Sequence, residues 1–142
     1  MKFRKYSLFS IILYKLGKSL LMRGSYPKAI QILEKCRILL QGNGNSTLLA
    51  LTFFDLAGLY HKIHRLEKSR LFYKDALRLF RRLGHLDSVA DAAIALGNVE
   101  LQLGQLQQAK RRLEEVREYY ANNQNRLKEI NKLLKVAERL TQ

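Results

Sequence analysis

Residues 17–19 read Gly-Lys-Ser, the tail of a loop that cradles nucleotide phosphates. The full loop needs another glycine five residues before Gly17, and that position is Ile12, inside an apolar run from Leu8 to Tyr14. Branched Ile11 and Ile12 cannot turn successive backbone N–H groups toward an anion, so no nucleotide site is expected. His61 and His64 stand three residues apart, a spacing that could share a metal. No cysteine adjoins them, Asp55 falls at the wrong helical distance, and a structural zinc wants four ligands. Cys36 is the single cysteine, which removes any internal disulfide and any paired-thiolate metal site. Asn45-Ser46-Thr47 is a glycosylation sequon, meaningful only in a secreted chain. No nucleophile has a base beside it and no carboxylates are paired for acid–base work. The chain is therefore not expected to be an enzyme, and neither a metal nor a cofactor is called for.

What remains is charge. The 142 residues carry a net charge of +14. Residues 1–82 hold 17 Lys/Arg against four acids (Glu34, Asp55, Glu67, Asp75), whereas residues 83–142 hold nine against eight. Such a field draws in polyanions without choosing among them. The sharpest feature is a stripe of Arg70, Lys74, Arg78 and Arg81 or Arg82, spaced four, four and three apart. On a helix these cations share one face over about 16 Å. They could track nucleic-acid phosphates, meet an anionic membrane or an acidic protein, or simply be solvated. No aromatic platform or recognition helix accompanies them, as nucleic-acid modules usually require.

The elements that position these residues follow from a repeat. Shifted by 40 residues, the chain superimposes on itself without gaps. Leu16-Gly17 becomes Leu56-Ala57 and then Leu96-Gly97; Gly24 becomes His64 and then Gly104. Tyr26, Leu66 and Leu106 align, as do Ala29, Ser69 and Ala109. So do Leu33, Tyr73 and Leu113, and then Cys36, Ala76 and Val116. Apolar residues recur three and four apart, so each unit is two helices, and strand signals are absent. Gly24 and Gly104 fall where a first helix must end, Ser25 with Pro27 suits a helix start, and Ser46 or Thr47 could cap the helix after the loop Gln41–Ser46. Gly17 is then a packing residue, small because two helices meet there, and Cys36 is a buried thiol in another small-residue column.

This pattern resembles the tetratricopeptide repeat family, with Leu96–Glu115 as the best copy. The spacing of 40 is longer than the usual 34, the early aromatic survives only as Phe53, and the closing proline is replaced by Gln41, Arg81 and Ala121. The resemblance implies an all-α fold: a right-handed α-solenoid of three helical hairpins plus a C-terminal capping helix. All 142 residues would form one domain, with units at about 10–43, 47–84 and 87–121 and the cap at about 125–141. It also implies a concave groove lined by each unit's first helix and holding a partner peptide or helix. Carried over by position, the groove candidates are Tyr14, Lys18 and Met22; Phe54, His61 and Lys62; and Asp91, Asn98 and Gln102. One subgroup of the family clamps terminal carboxylates with cations and amides. Here Asp55 and Asp91 stand at clamp positions and would repel such a tail.

The two ends of the array differ. The last helix is amphipathic, with Arg126, Lys128, Glu129, Lys132, Lys135 and Arg139 for solvent. The first is apolar nearly all round, from Phe9 through Ile12 to Leu21, so residues 1–8 are expected to fold over it or a second chain to cover it. Phe9 and Ile12 are the self-association candidates. Lys15 and Lys18 interrupt any signal-peptide core, and a cytoplasmic location is expected. The function that follows is a non-catalytic scaffold or adaptor for a protein or peptide with acidic character. The alternative is nucleic-acid or anionic-membrane association through Arg70–Arg82, and a small-molecule or signalling-peptide receptor would use the same groove.

Overall fold

Glycine, proline and asparagine punctuate the chain where helices stop and start. A computed structural model describes the backbone of residues 2–42 and 45–142, with side chains from residue 8 onward in those ranges. Among them are seven α-helices and no strand: α1 (Lys2–Met22), α2 (Tyr26–Leu40), α3 (Ser46–Lys62), α4 (Leu66–Leu83), α5 (Leu86–Gln102), α6 (Leu106–Tyr119) and α7 (Gln124–Thr141). Each helix packs on the next, and α1 also reaches α3, as α5 reaches α7. The core runs through the array, from Leu13, Leu33 and Leu56 to Phe80, Leu96, Leu113 and Ile130. Two expectations are corrected. The helix α1 begins at Lys2, so residues 2–8 prolong it instead of folding back over it. The cap of α3 is Asn45, whose side-chain oxygen accepts from Leu48 N at 3.1 Å, because Ser46 and Thr47 already lie within the helix.

Small residues set the distance between the helices of a hairpin. A Cβ on Gly17 would stand 2.5 Å from Leu33 Cδ2, and one on Gly97 3.0 Å from Leu113 Cδ2. The middle unit solves the same contact differently. Ser69 donates through its hydroxyl to Ala57 O at 2.7 Å, tying α4 to α3. Tyr73 replaces the leucine of the other units and reaches further, so a Cβ on Gly58 would lie 3.4 Å from its hydroxyl.

The turn inside each hairpin repeats as well. Gly24 and Gly104 have φ of 79°, and His64, in the same column, has φ of 63°. Ser25 N, Arg65 N and Gln105 N donate back to Leu20 O, Tyr60 O and Glu100 O at 2.9, 2.8 and 2.8 Å. Gly24 N, His64 N and Gly104 N donate to Leu21 O, His61 O and Leu101 O at 3.0, 3.0 and 3.1 Å. This pair of bonds satisfies the carbonyls a helix leaves free, and it demands a left-handed residue. His64 adopts that conformation at a cost that glycine avoids.

Three outcomes follow. Replacement His64→Gly should raise unfolding free energy by up to about 1 kcal/mol, read by urea denaturation. Gly17→Ala should lower it by about 1–2 kcal/mol, since the clash with Leu33 exceeds the gain in helix propensity, while Gly58→Ala, with only ordinary contact, should raise it by up to about 1 kcal/mol.

Candidate partner-binding groove

The helices α1, α3, α5 and α7 succeed one another as the leading helices of the units, and their shared side carries most of the groove candidates. Between α3, α5 and α7 lies a recess of about 460 Å³. Its floor is aromatic and aliphatic: Phe54, Tyr73, Ile94 and Leu133. Phe54 sets its ring edge-on to Tyr73 at 5.5 Å and to Phe80 at 6.4 Å, which fixes the ring without burying it fully. Gly58 stands in the repeat column of Lys18 and Asn98. A Cβ there would meet only the Tyr73 hydroxyl, at 3.4 Å, and Asn98 lines the recess from the neighbouring helix.

Polar groups ring the recess. His61 Nε2 lies 2.9 Å from Gln102 Oε1, linking α3 to α5. Asp91 is ion-paired with Arg126 of α7, and Glu129 Oε2 lies 3.7 Å from the same guanidinium. Lys132 completes the wall. Phe54, His61, Asp91 and Asn98 thus come together as the sequence suggests. Gln102 joins them through His61.

The remaining candidates sit elsewhere. Tyr14, Lys18 and Met22 line a second, shallower recess of about 410 Å³ on α1, with Lys15, Ser19 and Arg23. Lys62 is exposed and places its ammonium 5.9 Å from the centre of the Tyr26 ring, turned toward the first unit.

Asp55 is not a bare charge facing the groove. It is 7% exposed, accepts from Tyr14 Oη at 2.8 Å and meets Lys18 Nζ at 3.0 Å. Asp91 likewise has Arg126. Repulsion of a carboxylate therefore holds only where those cations are displaced. Tyr73, which the sequence assigned to a packing column, and Arg126, Glu129 and Lys132, which it assigned to solvent, also line the recess. One signal was present: Ala137, fully buried, continues the Gly17, Ala57, Gly97 column into α7.

The basic stripe on α4 is partly compensated. Arg70 is bonded to Glu67, and this hydrogen bond holds the Glu67 carboxyl below its ordinary value. Arg78 pairs with Asp75 at 2.8 Å and Arg81 with Glu115 at 3.5 Å. Lys74, Arg78, Arg81 and Arg82 are exposed, but Arg70 is half-buried, so the five do not form one free face.

Cys36 is buried, 3.3 Å from Ser10 O, and burial pushes its thiol up. No group of three or more His, Cys, Asp or Glu is gathered as for a metal among the described residues. No helix among them is long and apolar enough to cross a membrane.

Two family models described as tetratricopeptide repeat match residues 8–82 and 91–123. No curated protein matches the chain. Among solved structures, the first tetratricopeptide repeat domain of Spaghetti (RPAP3), bound to the HSP90 peptide SRMEEVD, is 21% identical with a TM-score of 0.72, and 94% of each chain is covered. BtubC (BKLC) from P. vanneervenii is 20% identical with a TM-score of 0.75 over 95% of this chain, which spans 61% of that one. The nearly identical TPR-like repeats of a Podosopora anserina protein are 15% identical with a TM-score of 0.71, over 93% of this chain and 74% of that one. These likenesses are of fold.

Burial raises the Tyr73 phenol from 10.0 to about 12, helped by Asp55, and raises Tyr60 to about 12, helped by its hydrogen bond to Glu34. A phenol still protonated in the fold when its unfolded counterpart has ionised favours the unfolded chain as pH rises. Stability should therefore be unaffected by these groups below pH about 10 and fall between about 10 and 12. Phenolate absorbance should show Tyr60, Tyr73 and Tyr14, which burial and Asp55 also raise, titrating late among the seven tyrosines, and Tyr73→Phe should remove one late step.

Proposed function

The chain belongs to the tetratricopeptide repeat family, and from that premise we propose that it is a non-catalytic cytoplasmic adaptor holding a segment of an acidic protein partner in the groove. The observation that carries this reading is the recess between α3, α5 and α7. It combines an aromatic floor with an amide at Asn98 that can both donate and accept toward a peptide backbone. An apolar partner side chain fits the recess beside Phe54 and Tyr73. Acidic partner residues fit the α1 end, where Lys15 and Arg23 line the second recess.

The Spaghetti domain, of the same fold, is bound to an acidic peptide, SRMEEVD. In the present chain a clamp on two carboxylates is not the mechanism we favour, because Asp55 already holds Lys18 and Asp91 already holds Arg126. A partner carboxylate would have to compete for those cations. The second reading keeps the exposed cations Lys74, Arg78 and Arg82 on α4 as a surface for nucleic acid or anionic lipid.

An array of acidic peptides, each with one apolar residue, should yield binders whose affinity falls roughly tenfold on Gly58→Lys, Phe54→Ala or Asn98→Ala, measured by fluorescence anisotropy. Binding unaffected by all three replacements would remove the groove from the mechanism. Steep loss of generic RNA or DNA binding with salt, abolished by charge reversal at Lys74, Arg78 and Arg82, would favour the second reading instead.

A further inference from the structure

The helix α1 keeps large apolar side chains in solvent. Leu8 and Ile12 are each 61% exposed, Phe9 51% and Leu16 46%. Leu8, Ile12 and Leu16 follow one another at four-residue steps, so they form a single stripe, and Phe9 lies along its flank. Helical register sets Lys15 beside Ile12, and Arg23 one further turn beyond Ser19, on the same outward side. Both cations are exposed. The first acid in the chain is Glu34, so residues 1–33 hold seven Lys/Arg (Lys2, Arg4, Lys5, Lys15, Lys18, Arg23, Lys28) and no Asp or Glu.

We propose that the outer face of α1 is a docking surface for an anionic lipid bilayer, on which the helix lies flat. An apolar stripe flanked by cations, on a helix not apolar enough to cross a bilayer, has the character of an interfacial helix. The apolar side chains enter the boundary between headgroups and acyl chains, and Lys15 and Arg23 stay at the level of the lipid phosphates. The inner face remains occupied by the fold: Leu13 and Gly17 are buried against α2, and Lys18 is held by Asp55. Docking therefore needs no unfolding.

Charge decides between a bilayer and a second copy of the chain. Two such faces brought together would oppose cations with no acid nearby to pair them. A bilayer supplies the opposite charge and needs no matching surface. This surface shares Lys15 and Arg23 with the rim of the α1 recess, but its apolar stripe lies apart from the recess between α3, α5 and α7 and from the α4 stripe.

The test is flotation of the full chain with phosphatidylcholine vesicles, with and without phosphatidylglycerol. Partition should be at least roughly tenfold stronger on the anionic vesicles, as two cations near such a surface supply. Phe9→Ser with Ile12→Ser should lower it roughly tenfold or more, and Lys15→Glu with Arg23→Glu should abolish the preference for anionic lipid. Lys74→Glu with Arg78→Glu should leave it in place. Because all these residues are exposed, circular dichroism and melting of each variant should match the parent. Absence of vesicle binding would overturn the proposal, as would binding that survives Phe9→Ser/Ile12→Ser. Concentration-dependent dimerisation abolished by that same pair, without vesicle binding, would assign the face to a second copy.

Discussion

The array depends on how closely two helices of one hairpin can approach. Leu33 fills the space that any side chain at residue 17 would need, and Leu113 does the same at residue 97. That contact places the first helix of each unit on the second and so decides which face is left over to line the groove. In the middle unit the leucine is replaced by Tyr73, the residue in the glycine column is Ala57, and Ser69 ties α4 to α3 through Ala57 O.

A second substitution within the repeat shows packing absorbing an apparent anomaly. Glu100 stands where Leu20 and Tyr60 are apolar, and it is wholly buried. Its Oε1 meets Arg112 Nε at 2.7 Å. In the unit before, the same two columns hold Tyr60 and Phe72, with ring centroids 5.6 Å apart. Both partners have changed together, from an aromatic pair to an ion pair. Arg70, from the unit before, is near enough to feel the Glu100 charge as well as that of Glu67. A buried pair of this kind offers little net stability over an apolar one, since desolvation offsets the attraction. What it does is make each member intolerant of losing the other. Glu100 is thus part of the scaffold and not of a reactive centre.

The columns were legible in the sequence because close packing is periodic. Gly17, Ala29, Cys36 and the left-handed turn at His64 are dictated by contacts inside one hairpin, and a 40-residue shift exposes them. The pairs Glu67–Arg70 and Asp75–Arg78 were equally readable, being three apart on a helix. The groove was legible only in part. Arg126 meets Asp91 across two helices, and Tyr14 and Lys18 meet Asp55 from a neighbouring unit. Such contacts depend on how units lean on one another, which no single column records. Ala137 carried the missing information, since a small residue at that place makes α7 a leading helix facing the groove.

The interior leaves little to react. Cys36, Thr52, Ser69, Asp55 and Glu100 each have a hydrogen-bond partner. Gln105 Oε1, at the start of α6, is the buried side-chain oxygen without one among the described residues. The groove differs in kind. Asp91 and Arg126 are each more than a third exposed, so their attraction is weakened by water and salt and contributes on the order of 0–1 kcal/mol. Separating Asp91 from Arg126 would cost little, whereas displacing Lys18 from the nearly buried Asp55 would strand a charge. The two acids at clamp positions therefore act oppositely. One is an exchangeable placeholder at the groove rim, and the other is a fixed strut between α1 and α3.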